Sequence, residues 1–299
     1  MTVSSAPGLE AADRVGRDGA HDVATARRRR RPVHWVLSAV LLLLAAQLVN
    51  FVIGNKSFAW PTVGKYLFEP SVLKGLGTSV LLTMVTILLG TVIGVICLAV
   101  SLSGYAPGRW LVHAYVAVFR SIPPLVQLIF WFNLAYLLPR LSLGVPFGPV
   151  FGSWPTNSLI SPLTAAILGL SLHEGAYMAE IIRAGVLGVD EGQRVAAKAM
   201  GFNGRQTFFR IVLPQAMRTI IPPTGSQFIT ILKGTSLVSV IAMGDLLFSV
   251  QSIYNQTFEI VPLLTVACFW YLVVVLVLSA LQRRLEKRFA RGHDREGAS

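Results

Sequence analysis

The residues able to do chemistry fall into two groups, one scattered through apolar sequence and one gathered in a single polar stretch. The scattered group is Arg120, Glu174, Glu180, Arg183, Lys233 and Asp245, each inside a long apolar run or near its end. A bare charge near the centre of a bilayer costs at least ~2.5–3.5 kcal/mol on insertion scales, so such side chains face protein or water. Glu180 and Arg183, three apart, share a helical face and are expected to pair. Glu174 stands ~18 Å along a helix from Pro162. Two roles are open to it: facing a polar path through the bilayer, where its charge would favour a cationic ligand, or hydrogen bonding a neighbouring span, with Tyr177 as partner. Lys233, ~16 Å into its run, precedes Gly234, which can break a helix and free backbone groups beside the ammonium. Substrate-facing and structural roles are both open to this lysine.

The gathered group lies between Glu174 and Pro223, EGAYMAEIIRAGVLGVDEGQRVAAKAMGFNGRQTFFRIVLPQAMRTIIPP. It begins inside an apolar run, and the polar part that follows carries Arg183, Asp190, Glu191, Arg194, Lys198, Arg205, Arg210 and Arg218. Helix-end signals divide it. Asp190 suits an N-cap, with Glu191 in the first turn where the helix dipole favours a carboxylate. Gly201 stands where a left-handed residue would end that helix, which places it over roughly 191–200. Asn203 can cap a second piece carrying Phe208, Phe209, Ile211 and Val212, predicted to stop before Pro214. A capped helix of ~10 residues spans only ~15 Å, too little to cross a membrane. It is suited to lie on a surface and touch something.

Neither group forms a known catalytic constellation. The sequence has no G-x-x-x-x-G-K-[ST] phosphate loop, no G-x-S-x-G elbow, no H-E-x-x-H and no Cys/His metal spacing, and its five histidines are scattered. Cys97 and Cys268 each stand alone in apolar sequence and read as buried thiols. Energy for any transport must come from a partner or a gradient.

The elements that hold these residues are membrane elements. Hydrophobic residues make up 54% of the chain against 13% charged, and mean hydropathy is +0.63, beyond the range of ordinary soluble domains. Five consecutive arginines, Arg27 to Arg31, precede an apolar run from Val33 to Ile53. That run is too long for a signal peptide's apolar region and has no small-residue cleavage site after it, so it reads as a retained first span. Beside a span, the arginine block reads as a topology and anionic-lipid signal rather than a nucleic-acid site.

Further spans are expected over Leu76 to Ser101, Trp110 to Leu138, Pro162 to about Ala184, Pro222 to about Leu247 and Ile260 to Leu281. The third contains Pro123-Pro124 and cannot be a regular helix throughout; the fifth is interrupted at Lys233-Gly234-Thr235-Ser236. Residues 54–75, 139–160 and 248–260 read as outside segments. Basic residues number five in the N-terminal block, six from Arg183 to Arg218 and five from Arg283 to Arg291, against Lys56, Lys65, Lys74 and Arg140 outside. Six spans with both ends in the cytoplasm satisfy the positive-inside rule. The predicted fold is all-α and integral to the membrane. It comprises a disordered basic tail (1–32), an added first span with an external segment (33–75), a transmembrane domain (76–284) holding the loop 185–221, and a basic tail (285–299).

The spacing Ala196-Ala197, three residues, Gly201, nine residues, Ile211-Val212-Leu213-Pro214 resembles the EAA loop of ATP-binding-cassette (ABC) importer permeases. GAYMAEIIRAG, VDEGQ, LPQAMR and LKGTSL are similar to the polar amino-acid branch of that family, and FRSIPPLVQL resembles its FRGTPLLVQL. The resemblance extends over roughly residues 70–285. Val195 stands where the family usually has the Glu of EAA, and Gly234 where KDTSL has its Asp.

The resemblance implies a type I importer permease in a bacterial inner membrane, passing amino acids by alternating access. It implies that Glu191, Gln193, Val195, Ala196, Ala197, Met200, Gly201, Ile211, Leu213 and Pro214 form a coupling element docked on a separate ATP-binding subunit. Arg120, Gln127, Glu174, Tyr177, Lys233 and Thr235 are the candidates for the substrate path. It further implies a second permease subunit, identical or homologous, an extracytoplasmic solute-binding protein and surrounding lipid. No cofactor is expected on this chain, since ATP and magnesium would bind the partner, and no nucleic acid is expected. A self-contained secondary transporter driven through the membrane-depth Arg, Glu and Lys is the competing reading. It predicts internal repeats, and none is evident.

Overall fold

A computed structural model describes residues 32–145 and 148–290. Residues 1–31 of the predicted disordered tail (1–32), the arginine block within it and the end of the basic tail, 291–299, lie outside the described residues. The chain divides into two units, Met1–Lys56 and Ser57–Ser299. Among the described residues the first unit is one 23-residue helix, α1 (Pro32–Gly54), whose Trp35–Gly54 portion is long and apolar enough to cross a bilayer.

The second unit is mostly helical. After α2 (Trp60–Tyr66) comes α3 (Pro70–Leu102), which begins six residues earlier than the sequence suggested because Pro70 opens its first turn. Helix α4 (Ala106–Ser121) and helix α5 (Pro124–Phe132) meet at an angle of 102°. The predicted break at Pro123-Pro124 is therefore present. A helical turn, α6 (Leu134–Leu137), leads to an unpredicted antiparallel hairpin of β1 (Arg140–Gly144) and β2 (Val150–Pro155). A second turn, α7 (Thr156–Leu159), leads to α8 (Pro162–Leu187), started by a reciprocal capping box between Ser161 and Thr164.

Next come α9 (Glu191–Ala199), α10 (Gly204–Thr207), a π-helical turn over Phe208–Val212, and α11 (Leu213–Gly234). The second polar piece thus does not stop before Pro214, as the sequence had suggested. The wider π-turn opens the hydrogen-bond ladder just ahead of Pro214, which relieves the clash between the proline ring and the preceding turn. Helix α11 also continues through Pro222 and Pro223 rather than beginning there. It gives way at Thr235 to a 3-10 segment, Thr235–Ile241, at the expected interruption. Residues 248–257, within the segment 248–260 that reads as outside, belong to α12 (Leu246–Thr257). The chain ends in α13 (Ile260–Ala290), which runs past the predicted end at Leu281.

Helices α3 and α8 run side by side in the same direction. A Cβ on Gly90 would lie 2.8 Å from Glu174 Cγ, and one on Gly94 would lie 2.9 Å from the Ala179 nitrogen. Both glycines let the two backbones approach, as small residues do in membrane packing. One apolar cluster joins α3, α5, α8 and the 3-10 segment through Leu82, Leu128, Leu170 and Val238. Another joins α3, α8 and α11 through Leu98, Met178, Ile182 and Ile220. A third packs α12 between α3 and α13 through Val72, Val250 and Leu263.

Three described helical stretches are long and apolar enough to span a membrane, and five qualify if each bent pair counts as one. Helix α8 has 26 residues but holds His173, Glu174, Glu180 and Arg183.

Candidate functional site

The polar loop is a rigid unit fastened to the end of α8. Asp190 caps α9 by accepting a hydrogen bond from the Gly192 backbone N–H at 2.6 Å. Arg194 reaches back to donate from Nη2 to the Val186 carbonyl at 2.8 Å, and its Nε lies 3.5 Å from Glu191 Oε2. That carbonyl belongs to the last turn of α8, where a guanidinium both satisfies a free acceptor and meets the negative end of the dipole.

The far end of α9 closes with a Schellman pair: Gly201 N–H donates to the Lys198 carbonyl at 2.9 Å and Phe202 N–H to the Ala197 carbonyl at 3.0 Å. This geometry needs a left-handed residue, and Gly201 has φ +80°. Asn203 then starts α10 with its own capping box, exchanging hydrogen bonds with Gln206.

This fastening decides which side chains remain outside. Val195 is 61% exposed and Met200 73%, and Glu191, Gln193, Ala196, Gly201, Phe209 and Pro214 are also exposed. Ala197 is only 2% exposed, and Ile211 and Leu213 are half-buried. Ala197, which the sequence reading placed in the partner contact, lies three residues from Arg194, on the face turned toward the bundle. Phe209, which the sequence reading left out of the coupling set, is on the open side.

The second site lies where α4 ends against α8. Arg183 pairs with Glu180 through two bonds, Nε to Oε1 at 3.2 Å and Nη2 to Oε2 at 3.0 Å, as their spacing predicted. Arg120 joins from α4: its Nη1 is 4.0 Å from Glu180 Oε2 and its guanidinium lies 5.1 Å from the centre of the Tyr177 ring. Sequence reasoning did not place Arg120 here, because the helix-period rule sees only neighbours three or four apart.

Gln127 explains how α4 can bend. Pro123 has no N–H, so the Phe119 carbonyl loses its helical donor. Gln127 Nε2 donates to Phe119 O at 2.9 Å and to Ile122 O at 2.8 Å. His173 Nδ1 lies 3.1 Å from both Gln127 Nε2 and Phe119 O. Freed carbonyls within a membrane need such donors.

The six path candidates therefore divide. Arg120, Tyr177 and Lys233 are exposed or half-buried, and Lys233 forms no salt bridge among the described residues. Gln127, Glu174 and Thr235 are buried. Glu174 is 1% exposed and wedged against Gly90, and its Oε1 accepts no hydrogen bond among the described residues. The suggested bond between Glu174 and Tyr177 is absent; the Tyr177 ring faces Arg120 and His173. Thr235 donates to the Leu232 carbonyl at 2.7 Å, which holds the helix end at the interruption.

Asp245, named only for its charge, caps α12 by accepting from Leu247 and Phe248 N–H. A groove of about 670 Å³ between α3, α8, α11 and α13 is lined mostly by apolar side chains such as Val95, Ile182, Phe228 and Leu281. Such a lining offers a zwitterion almost no polar partners, so the groove is not a substrate site.

The sequence pattern of the binding-protein-dependent transport system inner membrane components matches residues 87–291. This chain belongs to that family. It is 39% identical over 272 residues to the arginine transport system permease protein ArgU of Corynebacterium glutamicum, covering 90% of this chain and 84% of that protein. It is 34% identical over 233 residues to the glutamate/aspartate import permease protein GltK of Escherichia coli, covering 78% and 99%. Among solved structures, a chain of an amino acid ABC transporter crystallised with histidines is similar, with 28% identity and a TM-score of 0.64 over 74% of this chain and 95% of that one. The family consists of membrane components of transport systems, so the reading as a self-contained secondary transporter is set aside.

Proposed function

We propose that this permease is the membrane subunit of an ATP-driven amino-acid importer, with α9 as the element that couples it to a separate ATP-binding subunit. The observation that carries the coupling assignment is the outward face of α9. A short helix is fixed at both ends by side-chain and backbone bonds yet leaves Val195 and Met200 uncovered. In a fold where other apolar side chains meet protein or lipid, an uncovered pair on a polar loop fits a protein partner.

The six spans of this reading are α1, α3, the α4–α5 pair, α8, the α10–α12 stretch and α13, with both chain ends and α9 in the cytoplasm. A second permease, identical or homologous, completes the path, and a solute-binding protein delivers substrate from outside. ATP and magnesium act on the partner, and this chain binds no cofactor.

Arg120, Tyr177 and Lys233 line the path, while Gln127, Glu174 and Thr235 hold the helix breaks and contacts behind it. The likeness to an arginine permease supports a cationic amino acid as substrate. In this reading the buried Glu174 plays no part in that preference. Reconstitution of the permease with its ATP-binding subunit and binding protein tests the reading. ATP-dependent uptake of radiolabelled L-arginine supports it. Uptake that needs no ATP but follows an imposed ion gradient refutes it.

A further inference from the structure

The β1–β2 hairpin has two unlike faces. Its register pairs Leu141 with Trp154 and Ser142 with Ser153. Because alternate residues of a strand point to opposite sides, Leu141, Leu143 and Trp154 share one face, and Arg140, Ser142 and Ser153 share the other; a register shift at Gly144, which pairs with Val150, leaves Val150 and Phe151 outside this alternation. The polar face is stitched together: Arg140 Nε donates to Ser153 Oγ at 3.0 Å, and Ser142 Oγ donates to Ser153 Oγ at 3.1 Å. The apolar face is open, with Leu143 66% exposed, Trp154 also exposed, and the Trp154 ring folded over Gly152. Val150 and Phe151, at the register shift, are exposed apolar residues that the alternation assigns to neither face.

Outside its own strands the hairpin packs mainly on the α7 turn. Two strands alone are marginally stable in water, so this hairpin needs a surface. Its position narrows the choice. Helix α8 separates it from α9, and 26 residues span ~39 Å, slightly more than the ~30 Å of a bilayer's hydrocarbon layer. The hairpin therefore stands at the membrane boundary opposite the coupling loop. From Leu141 to His173 the chain holds no Asp, Glu, Lys or Arg. A docking site for a soluble protein carries a polar, charge-bearing rim. An uncharged face with a tryptophan at its edge matches the headgroup–acyl boundary, where amphipathic aromatic rings concentrate.

We infer that the β1–β2 hairpin is a membrane-interface anchor, with Leu141, Leu143 and Trp154 laid into the lipid boundary and Arg140, Ser142 and Ser153 facing water. It braces the segment between α5 and α8, the two helices that hold the Gln127–His173 contact.

The test uses the full transporter in lipid nanodiscs with Trp154 as the only tryptophan, the other five replaced by phenylalanine. Phospholipids brominated near the headgroup end of the acyl chain should remove most of the Trp154 emission, and aqueous iodide should remove little. Strong iodide quenching with no effect of brominated lipid overturns the assignment. So does an emission shift that requires the binding protein rather than lipid. Spin labels at Leu143→Cys and Ser142→Cys, with Cys97 and Cys268 replaced, give a second reading that leaves the tryptophans intact. The Leu143 label should collide more with oxygen, and the Ser142 label more with a water-soluble nickel reagent. Equal accessibility of the two labels contradicts the inference.

Discussion

Replacing Gly201 by valine perturbs the end of α9 without touching its surroundings. A Cβ built at Gly201 meets no atom within 4 Å, so the substitution creates no clash. The cost is conformational: φ is +80°, where a side chain adds about 1–2 kcal/mol, and a β-branched one more. The chain can escape that strain by returning to negative φ. It then gives up the bonds from Gly201 and Phe202 to the Lys198 and Ala197 carbonyls, each worth about 0.5–1.5 kcal/mol.

Either route penalises the present α9 orientation by at least 1–2 kcal/mol, roughly a 5–30-fold fall in its population relative to alternatives. Insertion should survive, because the strained residue lies outside the packed clusters. In proteoliposomes with the ATP-binding subunit and binding protein, Gly201→Val should show normal abundance, little uptake and little substrate-stimulated ATP hydrolysis. Gly201→Asn, which tolerates the left-handed region, should retain most of both activities. Normal coupling by Gly201→Val, or an equal loss in Gly201→Asn, refutes the argument that this backbone geometry sets the loop.

Val195→Glu should couple nearly as well as the parent, because it restores the Glu that the EAA loops resembling this segment carry at that position; a stimulated ATPase assay checks this. Glu174→Gln should lower uptake of arginine and of neutral amino acids to the same degree, or leave both unchanged, because the side chain is buried against Gly90; parallel uptake assays would show a selective loss if it met substrate. Gln127→Leu removes the donors for the Phe119 and Ile122 carbonyls, each bond worth about 0.5–1.5 kcal/mol, and should lower the unfolding temperature of the detergent-solubilised protein. In a background lacking Cys97 and Cys268, an impermeant maleimide should label Trp60→Cys from outside sealed cells and should not label Met200→Cys or Ala290→Cys.

What the sequence made legible is what local chemistry specifies. The caps Asp190 and Asn203, the left-handed Gly201 and the break at Pro123-Pro124 follow from side chains acting within a few residues, and all are present. The Glu180–Arg183 pair follows from helical spacing. Contacts between distant helices were not readable: Arg120 reaching Glu180, Gln127 meeting His173, and Gly90 admitting Glu174 depend on how α3, α4, α5 and α8 cross. Pro214 misled, because proline ends an isolated helix, whereas here a π-turn absorbs it. The hairpin was missed because its strands are short and rich in glycine and proline, and their alternation is hidden within an apolar stretch.

The central claim, that α9 transmits the ATP-binding subunit's motion to the permease, is tested most directly by cross-linking Met200→Cys in the assembled transporter. The exposed Met200 position should join the ATP-binding subunit through a short bifunctional thiol–amine reagent, and ATP should change the yield. A Met200→Cys that remains freely labelled in the intact complex, with no cross-link to that subunit in any nucleotide state, contradicts the account.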